Sequence, residues 1–390
     1  MREDLVAEAI AGQVDQWLPE IRSLRRTLHA CPEIALQETK TRDVLMGWLS
    51  RLPLDFASPI LGTDVVATLD VGARRTVGLR ADMDALPISE QTGQPYQSAF
   101  PGMMHACGHD GHMAILAGSA AVLCAVRDRL ESNVRFIFQP GEEVVCAGRD
   151  LVSKGVCDGL DEVYALHAQS AFPVGQIVSR PGPFFAAAGF FEFEFRGMGC
   201  HGATPEAGRN PIPVASAVVT RLEALHKRWN QTNGVVISVC RVTAGSMNNI
   251  IPGVARVGGT FRYLDAADGL AVQAEMRAVA EELAREAGVE ADIEFEVPYQ
   301  LPVINDKAVF ERCARLARRY LPPESFLEAP APAMIGEDFA FYLIGRPGLM
   351  FWLGMGVGSP SLHSPEFDFT DESLRNGVNL FCLLAAGLRA

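Results

Sequence analysis

The chain has 390 residues, 48% of them apolar, with a formal net charge of −13 and a pI near 5.1. That length exceeds what one hydrophobic core usually serves, which predicts two folded domains. The acidic balance, without a single basic run, excludes a nucleic-acid partner, because such binding rests on clustered Lys and Arg.

Taken in chain order, Glu8 to Leu52 places apolar residues at helical spacing, broken at Cys31-Pro32-Glu33, which predicts two helices. The first turns mix acids into the apolar positions and never reach the h-region of a secretory signal. Short β-branched runs follow at Asp64 to Leu69, Thr76 to Leu79, Val134 to Phe138 and Glu162 to Leu166, alternating with helical stretches at Met113 to Leu130 and Arg149 to Lys154. The Ala-rich stretch Met113 to Val126 falls short of the roughly 20 residues a membrane span needs and reads as a buried helix. Strands alternating with helices predict an α/β domain with a mainly parallel sheet covered on both faces. Beyond Pro181-Gly182-Pro183 the expected order is strand Gly189 to Phe195, helix Pro211 to Lys227, strands Gly234 to Arg241 and Val254 to Tyr263, helix Gly269 to Ala287 and strand Glu290 to Val297. This β-α-β-β-α-β succession is that of a ferredoxin-like insert. After Pro298 the α/β pattern resumes, as in helix Phe310 to Tyr320 and strand Leu349 to Leu353. Nine cysteines lie without repeated spacing, and an odd count predicts free thiols in a reducing, cytoplasmic setting with no membrane partner.

Three of the eight histidines fall within His105-Ala-Cys-Gly-His-Asp-Gly-His112. A thiol, imidazoles and the carboxylates of Glu142-Glu143 together suit zinc or a neighbouring first-row metal. Cys107 and His109 are two apart and share no helix face, so both reach one point only from a loop or an extended segment, with Gly108 and Gly111 supplying loop freedom. Glu142-Glu143 follows a strand and a Pro-Gly break, at the carboxyl end where open α/β sheets build sites; an isolated Glu pair would otherwise simply start a solvated helix. His167 ends an apolar strand, where a lone histidine is more often a satisfied core residue than a ligand. His363 stands in a Pro- and Ser-rich loop. Asp84 follows strand Thr76 to Leu79 and serves either as a ligand or behind one, a choice that spacing leaves open. His201 lies in the small-residue loop Gly199 to Ala203, and Arg262 sits on a strand.

The runs Arg80 to Pro87 (RADMDALP), His105 to His112 (HACGHDGH), Gln139 to Glu143 (QPGEE), Leu166-His167, Gly199 to Ala203 (GCHGA), Asn249 to Pro252 (NIIP), Gly259 to Arg262 (GTFR) and Glu337 to Phe339 (EDF) resemble the M20 metallopeptidases. The nearest resemblance is to the amidohydrolase branch of hippurate hydrolases, N-acyl-amino-acid deacylases and auxin-conjugate hydrolases. It implies a catalytic α/β domain in two segments, residues 1–182 and 299–390, interrupted by a ferredoxin-like lid and dimerisation domain over residues 183–298. It also implies two divalent metal ions, zinc by ligand softness, with manganese, nickel and cobalt as alternatives. In that resemblance Cys107 bridges the ions, His109, Glu143, His167 and His363 complete their shells, Glu142 is the general base and Asp84 stands behind the ligands. His201 would reach the site of the partner subunit in a homodimer or tetramer, and Asn249 and Arg262 would hold substrate.

Three stretches depart from the family pattern: Ala168-Gln169-Ser170 in place of an aromatic, Thr204-Pro205-Glu206 in place of Met-Pro-His, and Cys146 where glycine is frequent. They bear on the substrate pocket. The expected reaction is hydrolysis of the amide of an N-acyl amino acid or related conjugate. Alternatives are a dipeptidase or aryl-amine hydrolase on the same two-metal site, a cysteine-nucleophile enzyme using Cys107, or a non-catalytic zinc-binding protein.

Overall fold

The computed structural model describes residues 2–388; residue 1 and residues 389–390, which the expected domain bounds include, lie outside the described residues. The chain divides into two compact units, one of Met1–Phe184, Ile304–Ala331 and Asp338–Ala390, the other of Phe185–Val303 and Pro332–Glu337. Pro332–Glu337 goes with the smaller unit because Ala333 pairs with Phe185 and accepts from Ala186 N–H at 3.0 Å, while Arg262 donates to the Met334 carbonyl at 2.7 Å.

The larger unit holds an eight-stranded sheet in the order Asp55–Phe56, Val65–Leu69, Asn133–Gln139, Thr76–Asp82, Glu162–Gln169, Gly348–Gly354, Ile177–Ser179, Phe326–Glu328. The four strands from Asn133–Gln139 to Gly348–Gly354 are mutually parallel, with Asp82 opposite Gln139 and Trp352 opposite His167. Every residue of Gly348–Gly354, and all but the last of Glu162–Gln169, is buried. Strands covered on both faces have no reason to alternate, which explains their unbroken apolar runs. Helices Arg2–His29, His109–Ala125 and Leu374–Ala385 pack against one another in the core beside this sheet.

His109–Ala125, the site helix, is buried on every side from His109 to Cys124. A helix apolar all round belongs in a core, and among the described residues no helix is long and apolar enough to cross a membrane. The helix begins one turn before the expected Met113 and stops at Ala125, short of Leu130, where Arg127–Arg129 tightens into a 3-10 turn. The early start escapes the apolar pattern because His109, Asp110 and His112 are polar yet fully buried. The strands Ile177–Ser179 and Phe326–Glu328 escape it because three residues carry no period.

The smaller unit has the β-α-β-β-α-β succession, with strands Ala187–Arg196, Val236–Ala244, Val254–Tyr263 and Glu290–Tyr299 and helices Ile212–Asn233 and Ala266–Ala287. Its sheet is antiparallel, and the first and third strands lie in the middle. Phe191, Phe193 and Phe195 point into its core, while Phe190, Glu192 and Glu194 alternate to the other face. Asp265 caps the second helix by accepting from Ala267 and Asp268 N–H, and left-handed Gly234 and Gly288 end the two helices.

Candidate functional site

Five segments of the larger unit bring carboxylates, imidazoles and a thiol together at the carboxyl ends of its central strands. Strand Thr76–Asp82 leads to Asp84, strand Asn133–Gln139 leads through left-handed Gly141 to the helical turn Glu142–Val145, and His167 stands near the end of Glu162–Gln169. Cys107 precedes the site helix and His109 is its first residue, with Gly108 at φ 83° making the bend. The expectation that both residues lie in a loop or an extended segment is corrected for His109. His363 comes from the loop after strand Gly348–Gly354.

Cys107 Sγ lies 3.4 Å from His167 Nε2, and His363 Nε2 lies 3.2 Å from Glu143 Oε1, which is 3.9 Å from His109 Nε2. Ligand atoms of Cys107, His109 and His167 fall within 4.8 Å of one another, as do those of Cys107, Glu143 and His363, and those of His109, Glu142 and Glu143. Cys107 thus belongs to two overlapping triads. Glu142 is buried beside them at 5% exposure.

Backbone carbonyls fix both buried imidazoles. His109 Nδ1 donates to Asp84 O at 2.8 Å and His167 Nδ1 donates to Ala168 O at 2.9 Å, so in the neutral form each ring carries its lone pair on Nε2. The side chain of Asp84 binds the backbone of the carboxylate turn. Its Oδ1 accepts from Glu142 N–H and its Oδ2 from Glu143 N–H, both at 3.0 Å, so it holds the carboxylate turn from behind. His363 is half exposed, adopts φ 64°, rare outside glycine, and donates its backbone N–H to Ala106 O at 2.8 Å. Cys146, where glycine is frequent in the family pattern, sits at φ 54° between two short helices, a conformation that favours glycine.

Burial pushes the Cys107 thiol well above its ordinary range, and the charge of Glu143 adds to it. A nucleophilic cysteine needs the opposite environment, so the Cys107-nucleophile alternative finds no support here. Burial opposes the imidazolium of His109, but Asp82 and Asp84 outweigh it and hold the group up to about 10. The same site therefore gathers carboxylates around a thiol that ionises only against a cation. Among the described residues His109 Nε2 is buried and makes no hydrogen bond. A soft sulfur common to two triads, oriented imidazoles and a clamped carboxylate pair fit divalent metal ions.

In the smaller unit, His201 is exposed in the short strand Cys200–His201, opposite Ile250. Its Nδ1 accepts from Ala203 N–H at 3.1 Å, which leaves the hydrogen on Nε2. Asn249 is exposed and its carbonyl accepts from Gly202 N–H at 2.8 Å, while half-buried Arg262 donates to Met334 O.

Sequence reasoning gave no role to Arg80 or Asp82 beneath the site, and placed His112 behind the ligands or at the start of the helix. Asp82 accepts from Arg80 at 2.8 Å and from His112 Nδ1 at 2.6 Å, and His112 Nε2 accepts from Ala168 N–H at 2.9 Å. Burial drives His112 down to about 4 despite Asp82, so this ring is neutral and ties the site helix to the strand that carries His167. Arg80 also donates to Gln139 and Asp338, and Asp338 accepts from Gly148 N–H. Gly111, expected to free a loop, instead serves close packing: a Cβ there would lie 2.2 Å from Phe369 Cδ2. The sequence signals for Arg80 and Asp82 are the polar interruption of an apolar strand and their place in the run Arg80 to Pro87.

Residues 78–387 match peptidase family M20/M25/M40. The chain is 35% identical over 368 residues to the N-acetylcysteine deacetylase of Bacillus subtilis, covering 93% of this chain and 95% of that protein. It is 32% identical over 388 residues to IAA-amino acid hydrolase ILR1-like 2 of Arabidopsis thaliana, covering 98% and 87%. The crystal structure of the Bacillus subtilis YXEP protein, a dinuclear metal binding peptidase of the M20 family, superposes with a TM-score of 0.84 at 32% identity, covering 96% of this chain and 99% of that one.

Proposed function

Because this chain belongs to peptidase family M20/M25/M40, and within it to the amidohydrolase branch, we propose that it is a metal-dependent amidohydrolase acting on N-acyl amino acids or related conjugates. It cleaves the amide to a carboxylic acid and a free amine. The reading is carried by the two overlapping ligand triads that share Cys107, with Glu142 buried beside them.

Cys107 as a thiolate, which belongs to both triads, would hold two divalent ions together with His109, Glu143, His167 and His363. When bound, such ions supply Lewis acidity, lowering the pKa of water towards neutrality and polarising the amide carbonyl. Zinc suits this donor set, and manganese, nickel and cobalt are the metals to compare with it. Glu142 takes the proton of the attacking water and returns it to the leaving nitrogen, and Asp84 keeps that carboxylate turn in register. His201, with its hydrogen on Nε2, donates to the developing oxyanion in the site of a partner subunit. Asn249 and Arg262 hold the substrate carboxylate or carbonyl, for which a guanidinium fork is suited. Residues 183–298 act as the lid and dimerisation domain of a cytoplasmic homodimer, and residues 1–182 with 299–390 form the catalytic domain. The deacetylase and the plant hydrolase carry different acyl groups in their names and share an amino-acid amide, which favours the amino-acid end as the constant part of the substrate.

The test is Glu142→Gln in protein stripped with chelator and reloaded with one metal at a time. On a panel of N-acyl amino acids, dipeptides and arylamides, the expected outcome is unchanged metal content with turnover lowered by about 10²- to 10⁴-fold. Wild-type turnover by Glu142→Gln would remove Glu142 as the base. Chelator-resistant turnover would instead favour Cys107 as nucleophile, and bound metal without turnover on any substrate would favour a binding protein.

A further inference from the structure

The turn that carries Glu142 hangs from three successive backbone N–H groups, and only two of them are held by Asp84. The first, Gly141 N–H, donates at 3.0 Å to Oε1 of Glu38, a residue with no place in the reaction so far. Glu38 precedes the helix Thr39–Leu49, is completely buried, and accepts at Oε2 from Thr63 Oγ1 at 3.0 Å. Pro140 has no N–H, so Gly141 offers the first backbone donor after the strand Asn133–Gln139. Gly141 is also the pivot of the turn, at φ 60° and ψ 44°, a left-handed conformation followed by the helical Glu142–Val145. This alternation turns consecutive N–H groups inward into a concavity that accepts anions. Here the two carboxylates of Glu38 and Asp84 fill it.

We infer that Glu38 is a further positioning residue of the reaction: by fixing Gly141 N–H it sets the angle at which Glu142 leaves the sheet. The inference rests on the reading of Glu142 as general base. A glycine is the softest pivot a chain can have, and a buried N–H that loses its acceptor moves until it finds another. Asp84 holds the far side of the turn and the Gly141 carbonyl accepts from Ala147 N–H at 3.1 Å, but neither bond fixes Gly141 N–H. The carboxylate of Glu142 would then shift relative to the ligands without any ligand being lost.

The test compares Glu38→Ala, which removes the acceptor, with Glu38→Gln, which keeps an oxygen at the same reach. On the best N-acyl amino acid of the panel, Glu38→Ala is expected to lower kcat about 10- to 100-fold, with KM and metal content within about twofold, and Glu38→Gln to restore kcat to within about threefold. Amide hydrogen exchange at residues 141–143 should quicken about tenfold or more in Glu38→Ala and stay near wild type in Glu38→Gln. In the Glu142→Gln background Glu38→Ala should cost nothing further, because the group it positions is already gone. Wild-type kcat in folded Glu38→Ala, an equal fall in both variants, or a full additive loss in the Glu142→Gln background would overturn the inference. If Glu38→Ala does not fold, Glu38→Asp, which withdraws the oxygen by one methylene, is read by the same criteria. Full activity of Glu142→Gln alone would sink the base assignment, and the exchange rates would still decide whether Glu38 holds the turn.

Discussion

Replacing Gly111 with alanine sets helix propensity against close packing at the heart of the site. Gly111 lies in the first turn of the site helix, two residues after His109, with the ring of Phe369 against its Cα. The added Cβ would stand 2.2 Å from Phe369 Cδ2 and 2.3 Å from Cε2. An ordinary carbon–carbon contact is about 3.7 Å, so helix and ring must separate by roughly 1.5 Å. Phe369 is 1% exposed and its ring cannot escape into solvent. Alanine gains at most about 1 kcal/mol in helix propensity, whereas overpacking a tight core costs about 1–3 kcal/mol. Packing wins, and Gly111→Ala should lose roughly 1–2 kcal/mol, read as a lower urea midpoint at unchanged slope. The displacement also carries His109 and His112, so chelator competition should show weaker metal binding. Adding Phe369→Leu should recover part of both losses. An unchanged or higher midpoint in Gly111→Ala would refute the packing argument.

Two further outcomes test other parts of the site. His112→Phe keeps the ring but removes the link from Asp82 to Ala168, so metal affinity should fall about 10- to 100-fold in a folded protein; an unaltered affinity would show that His112 only fills space. His29 lies between Asp110 and Glu90, at 2.8 and 3.2 Å. Burial opposes its charge, but Asp110 outweighs burial and raises the group from 6.5 to about 10. Its folded pKa thus exceeds the unfolded one, so the stabilisation is complete below pH 6.5 and is lost as pH rises towards 10. The urea midpoint should decline across that window, and the decline should flatten in His29→Gln. Equal declines in the two proteins would refute the assignment.

Much of the architecture is legible because it is written in periodicity. The doubly buried strands read as unbroken apolar runs, and the smaller unit reads as an alternation of period-2 and period-3.6 segments. Cys107, His109, Glu142 and Glu143 attract notice through clustering, and the structure gathers them with His167 and His363. What periodicity does not carry is pairing between distant positions. Arg80 meets Asp338 across 258 residues, and Glu38 meets Gly141 across 103; no local pattern announces either bond. Buried polar residues also disguise the elements that hold them, as His109, Asp110 and His112 disguise the first turn of a core helix. Gly111 looks like a source of loop freedom until Phe369 is found against it.

The two imidazoles fixed by backbone carbonyls have a consequence for how this protein can drift. A carbonyl is present whatever side chain a codon specifies, so no single substitution at position 168 deletes the acceptor of His167, and none at position 84 deletes that of His109. The tautomers of both rings are thereby insulated from point mutation. At position 168 that acceptor survives any side chain, although Ala168 itself is fully buried in the core of the larger unit. His112 enjoys no such protection, since its hydrogen is held by the side chain of Asp82. Mutational fragility should therefore concentrate at Asp82 and His112, one layer beneath the residues that touch the chemistry.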